Sequence, residues 1–191
     1  MRINDCAGPE GGVQLGADAE LKDIVMGLHW DPPQGDAGAD AADLDAWCVL
    51  FDAQGSVLEV IHPGRLRSAD GCVIHTGDSR NGASHWDDER IFVFLAALPE
   101  AVSSLAFFVT SATGRAFHEV RGAYCHVSDR TSERERLRFE LTALAGCTVH
   151  RVATVQRVAA GWNMSADANA VPADLRALLQ GAKRGGAASQ V

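Results

Sequence analysis

Apolar positions along this chain fall in short blocks separated by Gly, Pro and Asp, with little of the sustained 3.6-residue rhythm of helices. Such blocks lie at residues 21–30, 47–51, 57–61, 72–75, 90–95, 105–110, 124–127, 137–141 and 148–158, with a possible short edge strand at 13–15. The clearest is 137–141, where Leu137, Phe139 and Leu141 alternate with Arg138 and Glu140, the period-two pattern of a half-buried strand. The run 90–95 is short and apolar enough to be a strand buried on both faces. Pro32 and Pro33 stop the 21–30 block, and Asp52-Ala-Gln-Gly55 joins 47–51 to 57–61 as a hairpin turn. Residues 148–158 fit a strand or a helix by period, and their β-branched content favours the strand. Residues 114–122 fit neither pattern. Seven or eight short strands with few good helices predict an all-β fold, a β-sandwich of two mostly antiparallel sheets.

The pattern changes after Trp162. Pro172, Asp174, Leu175, Leu178 and Leu179 predict one short amphipathic helix, expected to dock on the sandwich rather than reach for a partner. The expected organisation is a frayed tail at 1–12, the sandwich domain at 13–163, and the helix with a disordered tail at 164–191. A chain of 191 residues with 47% apolar content suits one core. It has no apolar run long enough to span a bilayer and no apolar signal segment near Met1, so a cytoplasmic protein without membrane insertion is expected. Its five cysteines stand singly, which argues against a zinc ribbon or a disulfide framework; Cys48 and Cys125 lie in apolar runs and are expected in the core.

Charge narrows the function. The formal net charge is −8, and between Asp23 and Gly64 there are eight acids and no Lys or Arg. A chain this acidic, without a basic cluster, is a poor nucleic-acid binder, because that affinity comes mainly from phosphate contacts. Crowded carboxylates repel unless separated, solvated or neutralised by a cation. Asp43 and Asp45 open the 46–51 run two residues apart and point to one face. The loop His75–Glu89 adds Asp78, Asp87, Asp88 and Glu89, and Asp31 ends its own strand. Seven carboxylates on short loops make an oxygen-rich ligand set of the kind Ca2+ takes. Asp78 and Glu89 have EF-hand separation, but Arg80 and Ala83 stand where ligand and glycine are required, so an EF-hand is excluded. His75 and His85 flank the loop, which leaves a transition-metal site conceivable. No GxSxG, Walker A, GxGxxG or HExxH sequence is present. A hydrolase holding a catalytic divalent metal on the same carboxylates is the alternative from another class, and an acidic face docking a basic partner is a third reading.

Several blocks in order carry a resemblance: Gly27-Leu-His-Trp-Asp31, Asp43-Leu-Asp45, Ser68-Ala-Asp-Gly71, His75-Thr-Gly-Asp78 and Asp87-Asp-Glu89, followed by Phe107-Phe-Val-Thr110 and Phe117-His-Glu-Val-Arg121-Gly-Ala-Tyr124. From about residue 13 to 141 the chain resembles the tellurite-resistance (TerD-type) bacterial stress proteins. The resemblance implies a calcium-binding β-sandwich without known catalysis, working with other proteins of a stress-response complex; the oligomeric state stays open. It also implies two cation sites in a Gly-Asp-Gly-Asp-Asp-Glu run. Here His85 and Trp86 replace the acid and the glycine. Imidazole suits zinc, copper or nickel better than calcium, and Trp restricts the backbone, so fewer than two tightly held calcium ions are expected.

Overall fold

The computed structural model describes residues 14–18, 21, 23–33, 42–166 and 171–185. Two antiparallel sheets pack face to face. One has six strands in the order β1 (Gln14–Asp18), β11 (Gly161–Ala166), β10 (Val149–Val158), β7 (Ser104–Ser111), β3 (Leu44–Phe51) and β4 (Val57–Ile61). The other has five: β5 (Val73–His75), β6 (Glu89–Phe94), β2 (Asp23–His29), β8 (Tyr124–Asp129) and β9 (Glu135–Glu140). Single 3-10 turns at Leu95–Ala97, Phe117–Glu119 and Leu141–Ala143 punctuate the connections. The second of these lies in the 114–122 stretch that matched no pattern.

The interior is set by alternation. Ile24, Met26 and Leu28 of β2, Ile91 and Val93 of β6, and Cys125 and Val127 of β8 face Leu44, Ala46, Cys48 and Leu50 of β3 and Leu105, Phe107 and Val109 of β7. These side chains are fully buried. Burial pushes the Cys48 and Cys125 thiols far up, which suits their expected role as core residues. Cys147 is disulfide-bonded, although the single spacing of the cysteines argues against a disulfide framework.

The strands buried on both faces are β3 and β7, not β6. In β6 burial alternates, Glu89, Ile91 and Val93 facing inward and Arg90, Phe92 and Phe94 outward. Strand β3 owes its second buried face to the helix α1 (Ala173–Gly185). Val171, Leu175 and Leu179 pack on Trp47, Val49, Ala106, Phe108 and Val149, so the helix docks on the outer face of the six-stranded sheet. The helix runs on through residues 181–185, where disorder is expected from the sequence; residues 186–191 and 1–12 lie outside the described part.

The eleven strands among the described residues exceed the seven or eight expected. The one with no counterpart in the apolar pattern is β11, which turns back from β10 at Val158 and Gly161. Only Trp162 and Met164 of it are buried, too few apolar residues to register as a run. Among the described residues no helix is long and apolar enough to cross a membrane.

Candidate cation site

Strand register places the first acid. Asp45 lies opposite Thr110 across the β3–β7 ladder, and the Thr110 hydroxyl donates to Asp45 Oδ2 at 3.2 Å. The Trp47 indole N–H donates to the same hydroxyl at 2.9 Å. Trp47 itself stacks on His62 and is locked beneath α1, so this chain of contacts fixes where Asp45 points. Asp43 sits two residues earlier, and its carbonyl accepts the Ala112 N–H at 2.7 Å. From the other sheet, the loop between β5 and β6 brings Asp78 across. One carboxylate oxygen from each of Asp43, Asp45 and Asp78 lies within 4.8 Å of the others, and no other group of three or more acids, His or Cys among the described residues converges in this way.

The remaining four acids named from the sequence are held elsewhere. Asp31 lies 3.3 Å from the Arg121 guanidinium, and its backbone N–H donates to the Arg121 carbonyl. Asp87 turns to the outer face of the five-stranded sheet, 2.7 Å from Arg90 Nε and 3.0 Å from His126 Nε2. Burial pushes the Asp87 carboxyl up, but the bonds and charges of His126 and Arg90 outweigh it and hold the group below its ordinary value. Gly27 makes that pair possible: a Cβ there would stand 2.2 Å from His126 Nε2 and 2.7 Å from the Asp87 carboxyl carbon. Asp88 is enclosed and accepts the N–H groups of Trp30 and Ser84, each at 3.0 Å, with His29 Nδ1 also 3.0 Å away. Its work is to tie the loop to the end of β2.

Glu89 is turned fully inward. It accepts Ala46 N–H at 2.8 Å and Ser79 N–H at 3.1 Å, with His75 Nε2 at 3.4 Å. Burial raises its proton affinity more than the bonds from His75 and Ala46 lower it, and the nearby Asp45 charge adds to the rise. His75 accepts the Gly77 N–H on Nδ1 at 3.0 Å, so its Nε2–H points to the Ala46 carbonyl at 3.2 Å. Both ring nitrogens are engaged in holding the loop. His85 is exposed. The donor set that does converge is therefore all carboxylate, which fits a hard cation such as calcium and lacks the nitrogen or sulfur favoured by zinc.

Arg80, which the sequence pattern alone does not mark as part of the cluster, lies beside it. Its Nε donates to Asp78 Oδ2 at 2.8 Å. The Asp78 hydrogen bond and charge raise the hold of Arg80 on its proton, and the charges of Asp43 and Asp45 add to this. Its place two residues after Asp78 was the available signal.

The TerD domain profile matches residues 10–181. The chain belongs to the TerD-domain family. It is 37% identical over 153 residues to the tellurium resistance protein TerZ of Serratia marcescens, covering 76% of this chain and 79% of that protein. It is 33% identical to general stress protein 16U of Bacillus subtilis (strain 168), over 63% of this chain and 66% of the relative. The crystal structure of a TerD homologue from Streptomyces coelicolor A3(2) shares the fold, with a TM-score of 0.72 at 24% identity over 88% of this chain and 99% of that one. The family is thus one of tellurium-resistance and stress-response proteins.

Trp86 projects into solvent, 76% exposed, without a left-handed backbone. The glycine of this loop that a side chain could not replace without a clash is Gly82. Its φ is +59°, and a Cβ there would stand 2.5 Å from the Trp30 ring and 2.6 Å from the Trp30 carbonyl oxygen. Trp30 itself is fully buried, its indole N–H donating to the Ala42 carbonyl at 3.1 Å. It closes the core edge beneath the loop.

Proposed function

We propose that this TerD-domain protein is a non-catalytic, calcium-binding stress-response module whose single cation site is formed by Asp43, Asp45 and Asp78, and that the bound ion sets the shape of a surface offered to partner proteins. The observation that carries this reading is the convergence of three carboxylates from two sheets, free of His or Cys. Flexible loop carboxylates suit calcium, which accepts six to eight oxygens in loose geometry, better than the strict octahedron of magnesium. Water and loop carbonyls supply the remaining ligands. Asp87, Asp88 and Glu89 serve by bracing the loop from behind. One site rather than two follows, because the acid and glycine of the family run are His85 and Trp86 here and the four other acids are turned away from the cluster, toward Arg90, Trp30, Ala46 and Arg121.

Calorimetric titration with calcium tests it. One site is expected in the unmodified protein, with binding lost in Asp45→Asn and Asp78→Asn and retained in Asp31→Asn. Equal weakening by all three substitutions would mean that general acidity, not a site, attracts the ion. Two tight sites would place a second cation among Asp31, Asp87, Asp88 and Glu89.

A further inference from the structure

We propose that Arg80 is the specificity-determining residue of the cation site, a tethered counter-ion that keeps monovalent cations out and lets only ions of higher charge displace it. This rests on the calcium-site reading above and concerns which ions the site admits. The geometry is direct. Arg80 Nε lies 2.8 Å from Asp78 Oδ2, and the side chain is otherwise 80% exposed, held by the field of the cluster and not by packing. Asp43 and Asp45 act on the guanidinium electrostatically without a direct bond to it. Three carboxylates and one guanidinium leave the cluster with two net negative charges.

The selectivity follows from charge. A potassium or sodium ion entering the cluster must displace a group of the same charge, so it gains no Coulomb energy over the arrangement already present. The resident group also needs no capture from solution: a short tether holds it at an effective concentration on the order of millimolar or above. A calcium ion brings twice the charge at similar distances and wins the exchange. An exposed ion pair is weak, so the arginine yields readily to a divalent ion. Because Arg80 is on the surface and supports no packing, its replacement leaves the fold intact.

Calcium alone is titrated calorimetrically into the unmodified protein, Arg80→Gln and Arg121→Gln, each at one ionic strength set either by potassium chloride or by tetramethylammonium chloride, whose cation is too large to enter the cluster. The unmodified protein is expected to bind calcium equally in the two salts. Arg80→Gln is expected to bind about tenfold more tightly in tetramethylammonium, and to lose much of that gain in potassium, which now competes for the vacated carboxylates. Arg121→Gln removes the same charge beside Asp31 and is expected to behave as the unmodified protein. Calcium binding of equal strength in all three, or equal sensitivity to potassium in all three, overturns the role of Arg80 while leaving the site standing. No calcium binding by any of the three overturns the site and this inference with it.

Discussion

The Glu89 carboxylate of β6 accepts the backbone N–H of Ala46 on β3 at 2.8 Å, a hydrogen bond between the two sheets at the end where the acidic cluster lies. Its other oxygen takes the Ser79 N–H from the loop. One buried side chain thus sets both the distance between the sheets and the start of the loop that carries Asp78.

Removing that carboxylate leaves the Ala46 and Ser79 N–H groups without their acceptor. Glu89→Ala is expected to destabilise the fold by about 3 kcal/mol or more. Glu89→Gln, which keeps one acceptor oxygen, should lose less. Urea unfolding of the three proteins checks the order, and equal loss in both variants would assign the effect to packing alone.

Calcium is expected to raise the melting temperature and a chelator to lower it back. Binding only to the folded state stabilises by mass action, about 2.7 kcal/mol when the ion stands a hundredfold above its dissociation constant. The increment should vanish in Asp78→Asn. A melting temperature indifferent to calcium would contradict the proposed site.

Gly82→Ala tests the loop frame. The new methyl would meet both the ring and the carbonyl of Trp30 at a backbone angle L-residues avoid, so a loss of about 2–3 kcal/mol is expected. Calcium affinity should fall too, because Gly82 and Asp78 share the loop. Gly71→Ala is the control: its φ is +75° with open space around it, so only the backbone cost, about 1 kcal/mol, should appear.

Much of this arrangement was legible in the residues, and the reasons it was not fully so are local. Alternation revealed β9, and the hairpin turn at Asp52-Ala-Gln-Gly55 revealed β3 and β4, because period and turn chemistry act over a few residues. Strand β11 escaped because two buried side chains, Trp162 and Met164, are all it contributes to the interior. The double burial of β3 depends on a helix more than a hundred residues later, which no window on 44–51 can contain. Among the acids, Asp43 and Asp45 could be paired by strand geometry alone. Asp87, Asp88 and Glu89 are adjacent in sequence and diverge in space: one faces His126, one the end of β2, one the core. Their partners come from other strands, so proximity along the chain misled about proximity in the fold.

Asp87 predicts a pH effect. Its carboxyl is held below its ordinary value in the folded state, so the stability it contributes is present above the ordinary carboxylate range and is lost as pH falls through the depressed value. Asp87→Asn should cost about 1–2 kcal/mol at neutral pH, through the bonds lost to Arg90 and His126. It should also flatten the acid side of the stability profile. Chemical unfolding across the acid range reads both; parallel profiles for the two proteins would remove the assignment.

The cluster draws Asp45 from the six-stranded sheet and Asp78 from a loop of the five-stranded one. An ion held there spans the mouth of the sandwich, while the far side of the core gains nothing from it. Its effect is therefore directional. Amide protons at the start of β3 and in the loop before β6 should exchange with solvent more slowly when calcium is added. Those of the β8–β9 hairpin, at the opposite end of β8, should exchange at the same rate with or without it. A cation bound there would act as a clasp on one rim, the rim that carries the exposed Trp86.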